Sequence, residues 1–254
     1  MLTAATIKHL NQLQQKKYRT EFKECTVEGV KGVQEAISSD AEVILVIIDG
    51  KLRDESEMIA LADLAEENDI PVDFCSRKDI GEIKTTDTFP GVLAVVATPD
   101  NGLDEVNNGA IIALDGLKDP GNLGTIIRTA DWFGLYNIIL AEESVDPYNP
   151  KVVRSTMGSL FRVNIFESKN LATSLHTLQK KYGYKIVGLT MDGEPLQNLK
   201  KNASEKTVFL FGSESHGIRP ELEKMLDISY TIPGQGGAES LNVAVAAGIL
   251  MSRM

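Results

Sequence analysis

The apolar and polar positions of the chain begin in a helical rhythm. Ile7, Leu10, Leu13 and Gln14 keep a 3.6-residue period and lead into Lys16-Lys17-Tyr18-Arg19. From about residue 40 the rhythm changes to alternating strands and helices. Val43 to Ile48 is a continuous apolar run, the pattern of a buried parallel strand. Ser56 to Asn68 predicts a helix with Met58, Ile59, Ala62 and Ala65 near one side, and Val72-Asp73-Phe74 and Val92 to Val96 predict strands. Further on, Ala110 to Leu114, Asn137 to Leu140, Lys185 to Leu189, Thr207 to Phe211 and Ile228 to Ile232 read as strands. Helices are predicted over 122–134, 169–182 and 240–252. Such repetition implies a mainly parallel sheet covered on both faces. The last helix is apolar or small on nearly every side, which predicts burial all round.

Turn-forming residues interrupt the pattern at Thr98 to Gly102 and at Asn107-Asn108-Gly109. They divide the chain into residues 1–106 and 107–254. No apolar run approaches the roughly twenty residues a membrane span needs. Met1 to Thr6 lacks the basic and apolar order of a signal peptide. With Cys25 and Cys75 alone in the chain, reduced thiols and a cytoplasmic protein are expected. His9, His176 and His216 are scattered, so the expected chemistry is metal-free.

A net charge of −10 argues against a nucleic-acid partner only if it is spread evenly. It is not. Residues 1–24 balance to +3, residues 25–106 to −13 and residues 107–254 to zero. The acidity belongs to one segment, and RNA remains an eligible partner.

Three stretches are hard to explain as scaffold. In the first, Asp119-Pro120-Gly121-Asn122-Leu123-Gly124-Thr125 runs on to Arg128-Thr129-Ala130, with Asn122 a natural N-cap. Gly121, Gly124, Thr125 and Arg128 share about a third of the helix circumference. A guanidinium there suits a phosphate or carboxylate, although a lone surface arginine is ordinarily just solvated. In the second, Val208 to Phe211 runs straight into Gly212-Ser213-Glu214-Ser215-His216-Gly217, at the kind of strand end where α/β sheets collect ligands. The third is Ile232-Pro233-Gly234-Gln235-Gly236-Gly237-Ala238-Glu239-Ser240-Leu241-Asn242, entering the apolar helix. Ser240 and Asn242 in a buried first turn need partners. Gly234 and Gly236 do not complete a dinucleotide fingerprint, because Glu239 occupies the last glycine position.

These stretches, with Asn149-Pro150-Lys151-Val152-Val153-Arg154-Ser155-Thr156-Met157-Gly158, resemble the SpoU/TrmH family of RNA ribose methyltransferases over residues 110–254. The amino-terminal part, including Lys16-Lys17-Tyr18-Arg19 and Val27 to Lys31, is similar to the L30e-like substrate-binding module of members acting on ribosomal RNA. Ser215 stands where the family usually has glycine, and Gly234 where it usually has methionine.

The resemblance implies a small L30e-like α/β/α domain followed by a mainly parallel α/β domain with a deep trefoil knot. It also implies a homodimer using the last helix, S-adenosylmethionine as cofactor, and methyl transfer to a ribose 2′-hydroxyl. Gly212, Ile232 and Leu241, with Leu189 and Gly217, are the expected cofactor positions. Arg128 is the expected catalytic arginine, better suited to phosphate positioning and charge stabilisation than to proton abstraction. Asn122, Glu214, Ser240 and Asn242 are expected to organise the site. A loop imidazole, His216 beside Glu214, is the rival proton acceptor. Lys16, Lys17, Arg19 and Arg154 are the expected RNA contacts, with a solvated helix end as the bland account of the first three. A catalytically silent RNA-binding protein, a transfer RNA methyltransferase and a nicotinamide dehydrogenase are the alternatives.

Overall fold

The computed structural model describes residues 2–83, 89–106, 109–199 and 206–254. It separates into two compact units, Met1–Pro99 with Asp146–Arg162, and Asp100–Val145 with Val163–Met254. Asn107 and Asn108, read as linker, lie outside the described residues.

The first unit runs α1 (Ala4–Leu13), α2 (Lys16–Phe22), β1 (Glu24–Glu28), α3 (Val30–Ile37), β2 (Val43–Asp49), α4 (Ser56–Glu67), β3 (Val72–Cys75), α5 (Arg77–Ile83) and β4 (Val92–Ala97). Thr3 caps α1 by accepting from the Thr6 amide at 3.1 Å, and Leu10 and Leu13 bury against Ile47, Ile83, Leu93 and Val95. The sheet order is β1-β4-β2-β3. Only β2 and β3 are parallel, since β4 runs antiparallel to both β1 and β2. The parallel reading of Val43 to Ile48 is therefore half right. A continuous apolar run carries no period from which strand direction can be read, and Ile44 stays partly exposed.

The second unit runs β5 (Ile111–Leu114), α6 (Pro120–Trp132) and β6 (Asn137–Ala141). After the excursion through α7 (Pro150–Thr156) it continues β7 (Asn164–Ser168), α8 (Leu171–Tyr182), β8 (Lys185–Pro195), β9 (Thr207–Phe211), α9 (Pro220–Glu223), β10 (Ile228–Thr231) and α10 (Val243–Met251). All five pairings of the sheet, in the order β10-β8-β9-β5-β6-β7, are parallel. Ile111, Ala113, Ile139, Val208 and Leu210 pack with Leu171, Leu175 and Leu178 of α8. The alternate residues Ile112, Leu114, Ile138, Leu140 and Phe209 are buried as well, so both faces are covered. The chain leaves β5 toward β6 and returns on the other side as β9. The carboxyl ends of β5 and β9 thus form the switch point where such sheets bind ligands.

Two readings change here. Residues 146–162 pack with the first unit, because α7 lies against β1 and its flanks are tied by ion pairs of Arg19 with Asp146, Arg154 with Glu28 and Arg162 with Glu35. Nor is α10 buried all round. Ala244, Ala247, Leu250 and Met251 are buried, but Val245 is 50% exposed and Leu241 before it is half-exposed. Gly248 lets α10 approach Thr129 of α6, and Val245 on another side of the helix stays half-exposed.

Candidate active site

Asp119 is the N-cap of α6: its carboxylate accepts from the Asn122 amide at 2.8 Å, and Pro120 opens the first turn. This replaces the reading of Asn122 as the cap, and leaves the Asn122 side chain available for other partners. The reverse holds at α10, where Asn242 is the N-cap and not a first-turn residue. Its Oδ1 accepts from the amides of Ala244 at 2.9 Å and Val245 at 3.3 Å.

That cap sets the direction of a hydrogen-bond chain. With Oδ1 held by two N–H donors, Asn242 must present Nδ2, which donates to Asn122 Oδ1 at 2.9 Å. Asn122 must then present its own Nδ2, which donates to Glu214 Oε1 at 2.9 Å. Asn122 thus meets two motifs 92 and 120 residues further along the chain in one polarised line, with no freedom for an amide flip. Glu214 is exposed, and the second oxygen of its carboxylate faces no donor among the described residues.

The Glu214 loop is a tight turn. Ser213 and Gly217 exchange backbone hydrogen bonds at 3.0 Å, and Gly217 takes φ +67°. A Cβ on Gly212 would sit 1.9 Å from the Gly217 carbonyl carbon, so only glycine fits. The His216 amide donates to Ser213 Oγ at 3.2 Å, but its ring has no partner among the described residues and does not bond Glu214. Ser215 is exposed. Behind the turn, Arg219 is fixed by buried Asp115, donating from its amide at 3.0 Å and from Nε at 2.7 Å, and it also reaches Glu143 at 3.3 Å. The Asp115 hydrogen bond raises the Arg219 pKa further above its ordinary value. The sequence reading passed over this pair. Its signal was Asp115 itself, a charged residue placed directly after a wholly apolar strand.

A cavity of about 970 Å³ opens beside the turn. Gly212, Gly217, Leu189, Ile232 and Leu241 all line it, as do Glu214, Ser240 and Asn242. At Gly234 a Cβ meets nothing within 4 Å, so the backbone there does not itself require glycine. Ser240 is exposed and outside the hydrogen-bond chain, contrary to the expectation that it needs a buried partner. Its helix begins three residues later than read. Arg128 lies on the solvent side of α6, makes no hydrogen bond or ion pair among the described residues, and is not part of the cavity wall.

In the first unit, Lys16 and Lys17 are exposed, with Lys17 Nζ 5.4 Å from the Tyr18 ring centre. Arg19 cannot serve as an RNA contact as expected. It is buried, donating to Asp146 from Nε at 2.9 Å and Nη2 at 2.5 Å, and to the Leu13 carbonyl from Nη1 at 2.7 Å. Arg154 is partly exposed and donates to Glu28 at 3.2 Å.

Residues 109–252 match the SpoU rRNA Methylase family, and residues 4–94 match the MRM3-like substrate binding domain. The chain is similar to the 23S rRNA (guanosine(2553)-2′-O)-methyltransferase RlmP of Bacillus subtilis, at 32% identity over 96% of this chain and 94% of the relative. Among solved structures it is similar to a TrmH-family protein from Porphyromonas gingivalis, with 35% identity, TM-score 0.86, and coverage of 100% and 98% of the two chains. It is also similar to the AdoMet-bound rRNA methyltransferase from Sinorhizobium meliloti, with 28% identity, TM-score 0.84, and coverage of 100% and 95%.

Proposed function

The chain belongs to the SpoU rRNA methylase family, and from that premise we propose that it methylates a ribose 2′-hydroxyl of ribosomal RNA with S-adenosylmethionine. The observation that carries the reading is the polarised line from Asn242 through Asn122 to Glu214, whose two ends, Asn242 and Glu214, line a cavity beside the carboxyl ends of the parallel strands β9 and β10. The cavity volume lies within the range that holds a small-molecule ligand. The Gly212 turn brings backbone to its wall with no side chain in the way.

S-adenosylmethionine supplies an electrophilic methyl group on a sulfonium. The protein's share is alignment and charge. Gly212, Gly217, Leu189, Ile232 and Leu241 hold the cofactor through the loops they line. Glu214, with one oxygen committed to Asn122, offers the other to the ribose hydroxyl and orients it for attack. Arg128 holds a phosphate of the substrate and offsets the negative charge that develops on the hydroxyl oxygen as its proton passes to solvent water. Ser240, unbonded at the cavity wall, contacts substrate or cofactor and does not brace the helix.

The second unit carries this chemistry, and the first unit recognises RNA through Lys16, Lys17 and the neighbourhood of Arg154. Family membership supports a trefoil knot formed by the segments around Gly212 to Asn242. It also supports a homodimer, for which the half-exposed Val245 and Leu241 at α10 offer a seat. No helix among the described residues is long and apolar enough to cross a membrane, and a ribosomal RNA substrate supports a cytoplasmic protein.

Calorimetric titration with S-adenosylmethionine tests the reading. Saturation at one molecule per chain is expected, with affinity kept by Glu214→Gln while its methyl transfer falls. No binding to the wild type would leave a silent RNA-binding protein on the same fold.

A further inference from the structure

Trp132 is the single tryptophan of the chain, and it is 84% exposed. An indole carries one of the largest apolar surfaces of any side chain and normally buries most of it. Its place on α6 is specific. Trp132 follows Arg128 by four residues, so both stand on one stripe of the helix, together with Gly121 and Thr125. That stripe is opposite the buried Leu123, Ile126, Ile127 and Ala130. Phe133 and Tyr136, where the helix turns into β6, are also exposed. Among the described residues Trp132 has no ring partner.

We propose that Trp132 is a stacking platform for a nucleobase of the substrate RNA next to the methylated ribose. The inference rests on the methyl-transfer reading above. A ribose inside structured RNA reaches an active site when its nucleotide is drawn out of the stack, and that leaves a neighbouring base without a stacking partner. An exposed indole one helical turn from an exposed guanidinium supplies what such a segment needs, a π-face for the base and a fork for the phosphate. A second copy of the chain is the other eligible cover. The charge and the hydroxyl on this stripe, Arg128 and Thr125, favour RNA. The apolar face suited to a second copy is the one around Leu241 and Val245 of α10.

Because Trp132 is the only indole, tryptophan emission reports on this position alone. The probe is deproteinised ribosomal RNA from cells lacking the gene. We expect RNA to quench the emission of the wild type, with saturation at the concentration that saturates methyl transfer. Trp132→Ala is expected to raise KM for this RNA about ten- to a hundredfold, with kcat falling less than threefold and S-adenosylmethionine affinity unchanged, while Trp132→Phe recovers most of the loss. Wild-type transfer with an unchanged KM in Trp132→Ala overturns the stacking role alone. Emission already blue-shifted without RNA and unmoved by it, with Trp132→Ala sedimenting as a smaller species, assigns the indole to a protein interface and also overturns it. Quenching by RNA without any methyl transfer upholds stacking and overturns the activity it serves.

Discussion

Replacing Arg19 with alanine strips a buried carboxylate of its counter-ion. Side-chain exposure is 5% for Arg19 and 10% for Asp146. Both guanidinium bonds to the carboxylate end on Asp146 Oδ2, while Oδ1 accepts from the Tyr148 amide at 2.9 Å. The third donor satisfies the Leu13 carbonyl at the end of α1. Removing one member of such a pair destabilises by about 3–5 kcal/mol, chiefly because the remaining charge stays buried and uncompensated. At about 2–4 °C per kcal/mol for a chain of this size, the protein should melt about 6–20 °C lower. Lys16→Ala and Lys17→Ala, on the same helix but in solvent, should stay within about 0.5 kcal/mol. Arg19→Lys should recover only part of the loss, since an ammonium lacks the fork. Thermal melts followed by far-ultraviolet dichroism and by limited proteolysis within residues 1–99 measure this. RNA binding at a temperature where all variants are folded completes the test. The lysine double variant should flatten the dependence of log affinity on log salt by about 1.4–1.8, and Arg19→Ala by nothing measurable. If Arg19→Ala melts with the wild type and flattens the salt slope, Arg19 is a phosphate contact after all and the buried pair is not the anchor argued here.

Arg128→Ala should keep S-adenosylmethionine affinity within a few-fold and lower turnover about a hundredfold or more, whereas His216→Ala should stay active; single-turnover methyl transfer distinguishes them, and the opposite pattern rejects the assignment. Gly212→Ala places a Cβ against the Gly217 carbonyl carbon and the Ile218 amide, so it should lose at least tenfold in cofactor affinity by calorimetry. Burial pushes the Cys25 thiol up to about 12 from an ordinary 9.0. The unfolded chain therefore ionises first, stability contributed by this thiol is intact below pH 9 and falls between pH 9 and 12, and iodoacetamide at pH 8 should modify Cys25 only as fast as the protein unfolds.

The parallel sheet of the second unit could be read from residue pattern because its two central strands, β5 and β9, are pure. Ile111 to Leu114 and Thr207 to Phe211 are buried on both faces, so every position is apolar or β-branched. β1 and β7 escaped notice because polar residues sit among their apolar ones, as in Glu24-Cys25-Thr26-Val27-Glu28. The motif residues were legible, and their bonding was not. Which of Asp119 and Asn122 caps α6, and whether Asn242 caps α10, depends on backbone angles that both residue types satisfy. Arg19 was misread for a reason that local pattern cannot remove. Its partner is 127 residues away, and a basic run looks the same whether one member turns inward or all face solvent. Trp132 drew no attention in the sequence because a tryptophan within a helix is ordinarily core.

The most direct test of the account is the chemical position of the transferred methyl. Deproteinised ribosomal RNA from cells lacking the gene is incubated with methyl-labelled S-adenosylmethionine and the protein, digested to nucleosides and resolved by chromatography. Label is expected in a 2′-O-methylnucleoside, lost with Arg128→Ala and undiminished by a chelator at fixed free magnesium. Label on a base-methylated nucleoside, or no label on RNA under conditions where the cofactor binds, would contradict it.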